Sequence, residues 1–128
     1  MKRLFLVLIL SVAASGLWAG GWSGAEIWKD ADNKATECHG FSIGYIDTVM
    51  DKFPWTPEDI KAWAVVLLMT DADKLVKEVD AFYRDPANRD VTTAKAMRIC
   101  LERQIAKTPD GPRLLAIIGV RVDQVASR

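Results

Sequence analysis

All five prolines fall in three short corners: Pro54 with Pro57, Pro86 alone, and Pro109 with Pro112. The segments between them carry apolar side chains at helical spacing. Proline is tolerated in the first turn of a helix and breaks its interior, so these corners hold the chain to a series of short helices.

Local signals place each helix. Ser23 followed by Glu26 is a capping box that opens a short helix carrying Ile27 and Trp28. Cys38, Phe41, Tyr45 and Val49 then share a face, with Ile46, Met50 and Phe53 beside it, until Pro54 ends the run. Gly40 and Gly44 lie on that helix; each costs about 1 kcal/mol relative to Ala, and their spacing leaves room for another backbone to approach closely. Thr56-Pro57-Glu58-Asp59 is a second strong start, and Ile60, Trp63, Ala64, Leu67 and Leu68 form the stripe expected to be buried. A third start at Thr70 to Asp73 leads a face of Leu75, Val76, Val79, Phe82 and Tyr83 that stops by Asp85. Beyond the connector Pro86 to Arg89, Asp90 or Thr92 caps a helix with Val91, Ala94, Met97, Leu101 and Ile105 inward. Thr108 to Pro112 is a turn. Leu114 to Val122 suits a helix better than a strand, because no second strand is on offer to pair with it. The expected fold class is all-α: a small bundle of five or six short helices, forming one domain over residues 20–128.

The N-terminus has a different character. Met1-Lys2-Arg3 precedes an apolar run from Leu4 to Ala14, and small residues follow at Ser15, Gly16 and Ala19. This is the pattern of a signal peptide, residues 1–19, cleaved near Ala19. The apolar core is far shorter than the roughly 20 residues of a membrane span, so no membrane association is expected after cleavage, and the expected location is the periplasm.

Charge excludes one class of partner. The chain has 17 basic and 17 acidic residues, so the basic excess that drives nucleic-acid binding is missing. Loss of Lys2 and Arg3 would leave a slight acidic balance, with acids dominating Gly20 to Asp80 and basic residues dominating Ala81 to Arg128. Such a polarised surface suits a charged partner or self-pairing.

With one His and two Cys, the side chains for catalysis or metal binding are few. Ser42 stands three residues from His39 on one helix, without the strand-turn-helix elbow of a nucleophile. Asp30 with Asp32 and Asp71 with Asp73 lack the glycine and distal Glu of a calcium loop. No catalytic residue, metal ligand or cofactor is therefore assigned, and the chain reads as a non-enzyme. In an oxidising compartment Cys38 and Cys100 are expected to form a disulfide; closing a loop of about 60 residues is worth roughly 4 kcal/mol. The alternative is two separate buried thiols.

Recognition by surface remains. Trp55, in the corner Pro54 to Pro57, is either a hydrophobic staple on the next helix or an exposed anchor for a partner. The connector with Asp85, Asn88 and Arg89 is the other expected contact.

The run Cys38-x-x-Phe41-Ser42-x-Gly44-x-x-Asp47, preceded by Ser23-Gly24 and Ile27-Trp28, resembles the Rap/Tai group of periplasmic immunity proteins. Thr70, Leu75-Val76, Val79, Phe82-Tyr83, Pro86, Ala94, Ala96-Met97 and Leu101 continue the likeness, which covers about residues 23–105. Phe41, Gly44 and Asp47 of this run, with Gly40 beside them, are expected to form a helix-packing motif. The resemblance implies an exported, all-helical homodimer that neutralises a type VI secreted protein toxin, often a peptidoglycan amidase. The chain departs from the group in lacking two further cysteines, near Ala31 and before the proline corner, and in carrying a C-terminal extension over residues 108–128. A second reading is a periplasmic acid-stress chaperone of the Hde kind, which shares a small helical fold and sheds carboxylate charge below about pH 3.

Overall fold

A computed structural model of the chain describes residues 22–121, and within them the fold is all-helical with no strand. The expected signal peptide, residues 1–19, lies outside the described residues, as does the tail from residue 122.

The helices begin where capping chemistry starts them. In α1 (Gly24–Lys29) the Ser23 hydroxyl accepts from the Glu26 N–H at 3.2 Å while the Glu26 carboxylate accepts from the Ser23 N–H at 2.9 Å. The same reciprocal pair, Thr56 with Asp59, opens α3 (Pro57–Met69) with Pro57 in its first turn. Asp71 caps α4 (Ala72–Arg84) by accepting from the N–H groups of Asp73 and Lys74, and Thr92 caps α5 (Thr93–Ala106) through Lys95. The longest helix, α2 (Lys34–Lys52), has no side-chain cap and follows Asn33 in the left-handed region at φ 50°. A 3-10 turn, Pro86–Asn88, links α4 to α5, and α6 (Gly111–Ile117) completes the set.

α5 lies at the centre, packed against α1, α2, α4 and α6. Its buried residues therefore run around the helix: Ala96, Met97, Ile99, Cys100, Leu101 and Ile105 with the polar Glu102 and Gln104. The expected Met97, Leu101 and Ile105 are among them, while Val91 is half-buried and Ala94 exposed. The face expected of α4 is seen directly, with Leu75, Val79 and Phe82 buried and Val76 and Tyr83 half-buried. On α2 the buried line is Cys38, Ser42, Ile46 and Val49, rotated slightly from the expected one, so Phe41 and Tyr45 sit at its margin. Ser42 tolerates burial because its hydroxyl donates to the Cys38 carbonyl at 2.9 Å.

Three expectations need correction. The first is the disulfide. Cys38 and Cys100 are free thiols, fully buried on α2 and α5, and they do not stand at bonding distance. A bridge draws its Cα atoms to about 4.4–6.8 Å with the Cβ atoms turned toward each other, and these two thiols, though both in the core, do not meet in that way. Each thiol instead fills core space as a small apolar side chain, and burial pushes both up to about 11.

The second is the face of α3. Trp63 is buried together with Asp59, Ala62 and Val66, whereas Ile60, Ala64, Leu67 and Leu68 face outward. Both faces are apolar, so periodicity alone does not choose between them. Burying Trp63 removes an indole worth about 4–6 kcal/mol from water, which exceeds the roughly 1–3 kcal/mol lost because its N–H finds no acceptor. That rotation also sets the Trp63 ring T-shaped to that of Trp55, with centroids 5.6 Å apart, and turns Asp59 toward Arg113.

The third is the last helix, which ends at Ile117 rather than Val122. Gly119 takes φ 87°, its N–H bonds to the Ala116 carbonyl, and the Val120 N–H bonds back to Leu115 at 2.9 Å. This is a Schellman stop, for which glycine after the last helical turn is the signal.

Oxidation state should have no bearing on stability. A reducing agent is expected to leave the thermal midpoint unchanged within about 1 °C; a thiol reagent should find no reactive cysteine in the folded chain and two after denaturation. Backbone contact limits Gly111 more severely, since a Cβ there would stand 1.6 Å from the Ile105 carbonyl oxygen. Gly111→Ala should lower stability by about 2–4 kcal/mol in chemical denaturation, a large effect for one methyl group.

Candidate functional site

The margin of α2 borders an open groove of about 540 Å³. One wall comes from successive turns of α2 and its end: Phe41, Gly44 and Tyr45, then Thr48 and Val49, then Lys52 and Phe53. Glu102 of α5 lies between that wall and the opposite one, formed by Ile118 and Val120. The Schellman turn at Gly119 reverses the chain after α6 and supplies that second wall.

A polar network stands within these apolar walls. Tyr45 donates its hydroxyl to Glu102 Oε2 at 2.8 Å, and Arg98 stands 3.5 Å from Oε1 one turn away on α5. The Glu102 side chain is only 3% exposed, so these partners offset much of its desolvation. Burial, and next the neighbouring Glu102 charge, push the Tyr45 phenol well above its ordinary value, so it acts as a donor over the whole physiological range. Thr48 returns its hydroxyl to the Gly44 carbonyl at 2.8 Å.

Gly40 and Gly44 do not have the role expected of them. A Cβ built at either would meet no atom within 4 Å, so no backbone approaches these glycines closely. Gly44 lines the groove, and its missing side chain widens that space. Phe41 is half-buried on the core beside Tyr45, with ring centroids 6.4 Å apart, and Asp47 is exposed outside the groove lining.

Of the expected contact residues, Asp85 and Arg89 are exposed and Trp55 and Asn88 half-buried. The Trp55 indole N–H donates to the Val49 carbonyl at 2.7 Å, and its ring packs against Phe53 and Trp63. Asp85 accepts from the Ala87 N–H at 3.0 Å, and Asn88 donates its amide to the Phe82 carbonyl at 2.8 Å. Arg89 stays exposed, 3.9 Å from Glu26 and 3.8 Å from Asp90, while its carbonyl accepts from Ala25. The connector is thus tied to α1 and α4, and Trp55 to α2 and α3. His39 is exposed on α2, and Ser42 is buried one turn from it. Among the described residues no group of three His, Cys, Asp or Glu side chains converges to hold a metal, and no helix is long and apolar enough to cross a membrane.

One ion pair links the outer helices. Arg113 of α6 meets Asp59 of α3 at 2.6 Å, and Asp59 also accepts from the Thr56 N–H. The Arg113 hydrogen bond, followed by the Thr56 backbone bond, holds the Asp59 carboxyl below the usual aspartate range. A carboxyl with a lowered folded pKa stabilises above its unfolded value, and that stabilisation fades as pH falls through the folded value. Asp59→Asn should therefore unfold earlier than the parent chain at pH 7, with the gap between the two midpoints shrinking as pH falls below the ordinary aspartate range. Thermal melts across this range measure the difference directly.

No family model, curated protein or solved structure matches the chain.

Proposed function

We propose that the chain is an exported immunity protein, without enzymatic activity of its own, that binds a periplasmic toxin such as a peptidoglycan amidase and blocks it. One observation carries this reading. Phe41 and Gly44 from the family-like run on α2, together with the adjoining Tyr45, line an open groove, and the space above Gly44 is left unfilled by any other helix. A helix gains nothing in stability from an exposed glycine with open space above it, so Gly44 is better explained by what the space admits. The groove offers aromatic and aliphatic walls, the Tyr45–Glu102 pair and a cationic rim at Lys52. An apolar ridge on a toxin would find complementary shape there, and the rim polar groups would set its orientation. Filling that groove with a ridge near the toxin's active site excludes substrate without any chemistry by the inhibitor.

Gly44→Leu is the sharpest test, because it fills the groove without touching the fold. Helix propensity even favours the change by up to about 1 kcal/mol. The variant should melt no lower than the parent, yet lose at least tenfold in affinity for a peptidoglycan amidase toxin that the parent chain binds and fail to protect cells from siblings that deliver it. Gly40→Leu, one turn away and outside the groove lining, should retain both binding and protection. Unimpaired protection by Gly44→Leu would refute the groove as the toxin site.

A further inference from the structure

Hydrogen bonding narrows what the groove can hold. Three polar side chains stand among its apolar walls, and none has a hydrogen left to offer. Tyr45 donates its hydroxyl to Glu102 at 2.8 Å, Thr48 donates to the Gly44 carbonyl at 2.8 Å, and the Glu102 carboxylate is an acceptor only. A hydroxyl whose hydrogen is committed keeps only its lone pairs, so this stretch of the groove presents acceptors alone. Tyr45 is the best placed of them. Donation to a carboxylate polarises its oxygen and strengthens it as an acceptor, whereas Glu102 is 3% exposed and already holds Tyr45 and Arg98.

An occupant that satisfies these groups must bring a donor. Arg and Lys, like a protonated His, donate without accepting, and so does Trp. Charge removes the cations from that set. Arg98 already stands 3.5 Å from Glu102, and Lys52 is exposed in the groove lining, so a further cation there meets like charge. Trp carries its single N–H on a large apolar body, which suits aromatic walls at Phe41, Tyr45 and Phe53 and aliphatic ones at Ile118 and Val120. The volume of about 540 Å³ lies within the roughly 300–1,000 Å³ of ligand-sized sites, and nothing stands above Gly44 to obstruct a ring.

We propose that the groove takes one tryptophan side chain of the partner protein, its indole N–H donating to the Tyr45 hydroxyl oxygen. A phenylalanine or leucine in its place would desolvate that oxygen without replacing the lost hydrogen bond from water. Tryptophan is also the side chain most enriched among interface anchors seated in pockets. This deepens the toxin reading and rests on it for the identity of the partner, but the site itself is tested on the chain alone. The two tests are separable: the preference for an N–H can be absent while Gly44→Leu still abolishes protection, and it can hold where protection is untouched.

The experiment follows backbone amide shifts by NMR while the full chain is titrated with N-acetyltryptophanamide, its 1-methylindole analogue, its benzothienyl analogue, in which sulfur replaces the N–H, and free indole. The tryptophan amide should bind in roughly the millimolar range, with shifts centred on Gly44, Tyr45 and Val120, and both analogues should bind about fivefold more weakly or worse. Gly44→Leu should abolish binding of every probe. Tyr45→Phe should retain the apolar binding and lose the preference, so that the tryptophan amide and its analogues agree within about twofold. Thr48→Val, at an exposed position, should retain the preference, and together with the parent chain it decides the matter even where Tyr45→Phe fails to fold. Equal binding of the three amides to the parent overturns the proposal, as does no response up to about 20 mM or a response centred on the exposed apolar residues of α3. Binding of free indole without the tryptophan amide overturns the protein anchor and assigns the groove to a small aromatic donor.

Discussion

The rest of the structure depends on the near-complete burial of α5. A helix covered on several sides needs neighbours around it, and α1, α2, α4 and α6 are the elements that provide them. Each small or apolar residue on α5 sets the distance of one neighbour. Ala96 and Cys100 leave room, while Leu101 and Ile105 fill the space between layers. Glu102 and Gln104 are the exceptions, and both reach out of the core to partners on other helices, Tyr45 on α2 and Glu78 on α4. Polar groups in such positions demand a specific neighbour, so they fix rotation where apolar contact would permit sliding. The Tyr45–Glu102 bond is thus both a packing constraint between α2 and α5 and the polar element of the groove.

α3 answers a different constraint. It does not pack extensively on α5; it bridges α2 and α6. Its orientation follows from the aromatic cluster of Phe53, Trp55 and Trp63 on one side and from the Asp59–Arg113 pair on the other. These contacts hold one face inward without covering the second. The exposed stripe is a consequence of where the bundle ends: one more helix would cover it, and the described chain has none to offer.

Much of the fold was legible in the sequence because it is encoded locally. Capping at Ser23, Thr56, Asp71 and Thr92 depends on residues within one turn, and the proline corners act on their immediate neighbours. α4 was legible as a packed face because it has a single apolar stripe and a charged opposite side. α3 was not, since two apolar stripes fit its sequence and only Trp55 and Arg113, distant in the chain, select between them. The two thiols read as a bridge because the arithmetic of loop closure contains no geometry; both belong to the core, but they do not stand at bonding distance. The stop at Gly119 was signalled by the glycine itself and was obscured by the β-branched residues that follow it.

The groove was the least legible feature, and the reason is instructive for Gly44. Two glycines four apart on a helix have two opposite meanings. Either a neighbouring backbone fills the space above them, or the space is kept empty, and the sequence is the same in both cases. Only the positions of α5 and of the returning chain at Ile118 and Val120 distinguish these readings. Those positions are set by Gly111, which lets α6 start against the Ile105 carbonyl, and by Gly119, which turns the chain back. The groove on α2 is therefore shaped from the far end of the chain, by two glycines that need their backbone geometry, and it is held open at Gly44 by one that does not.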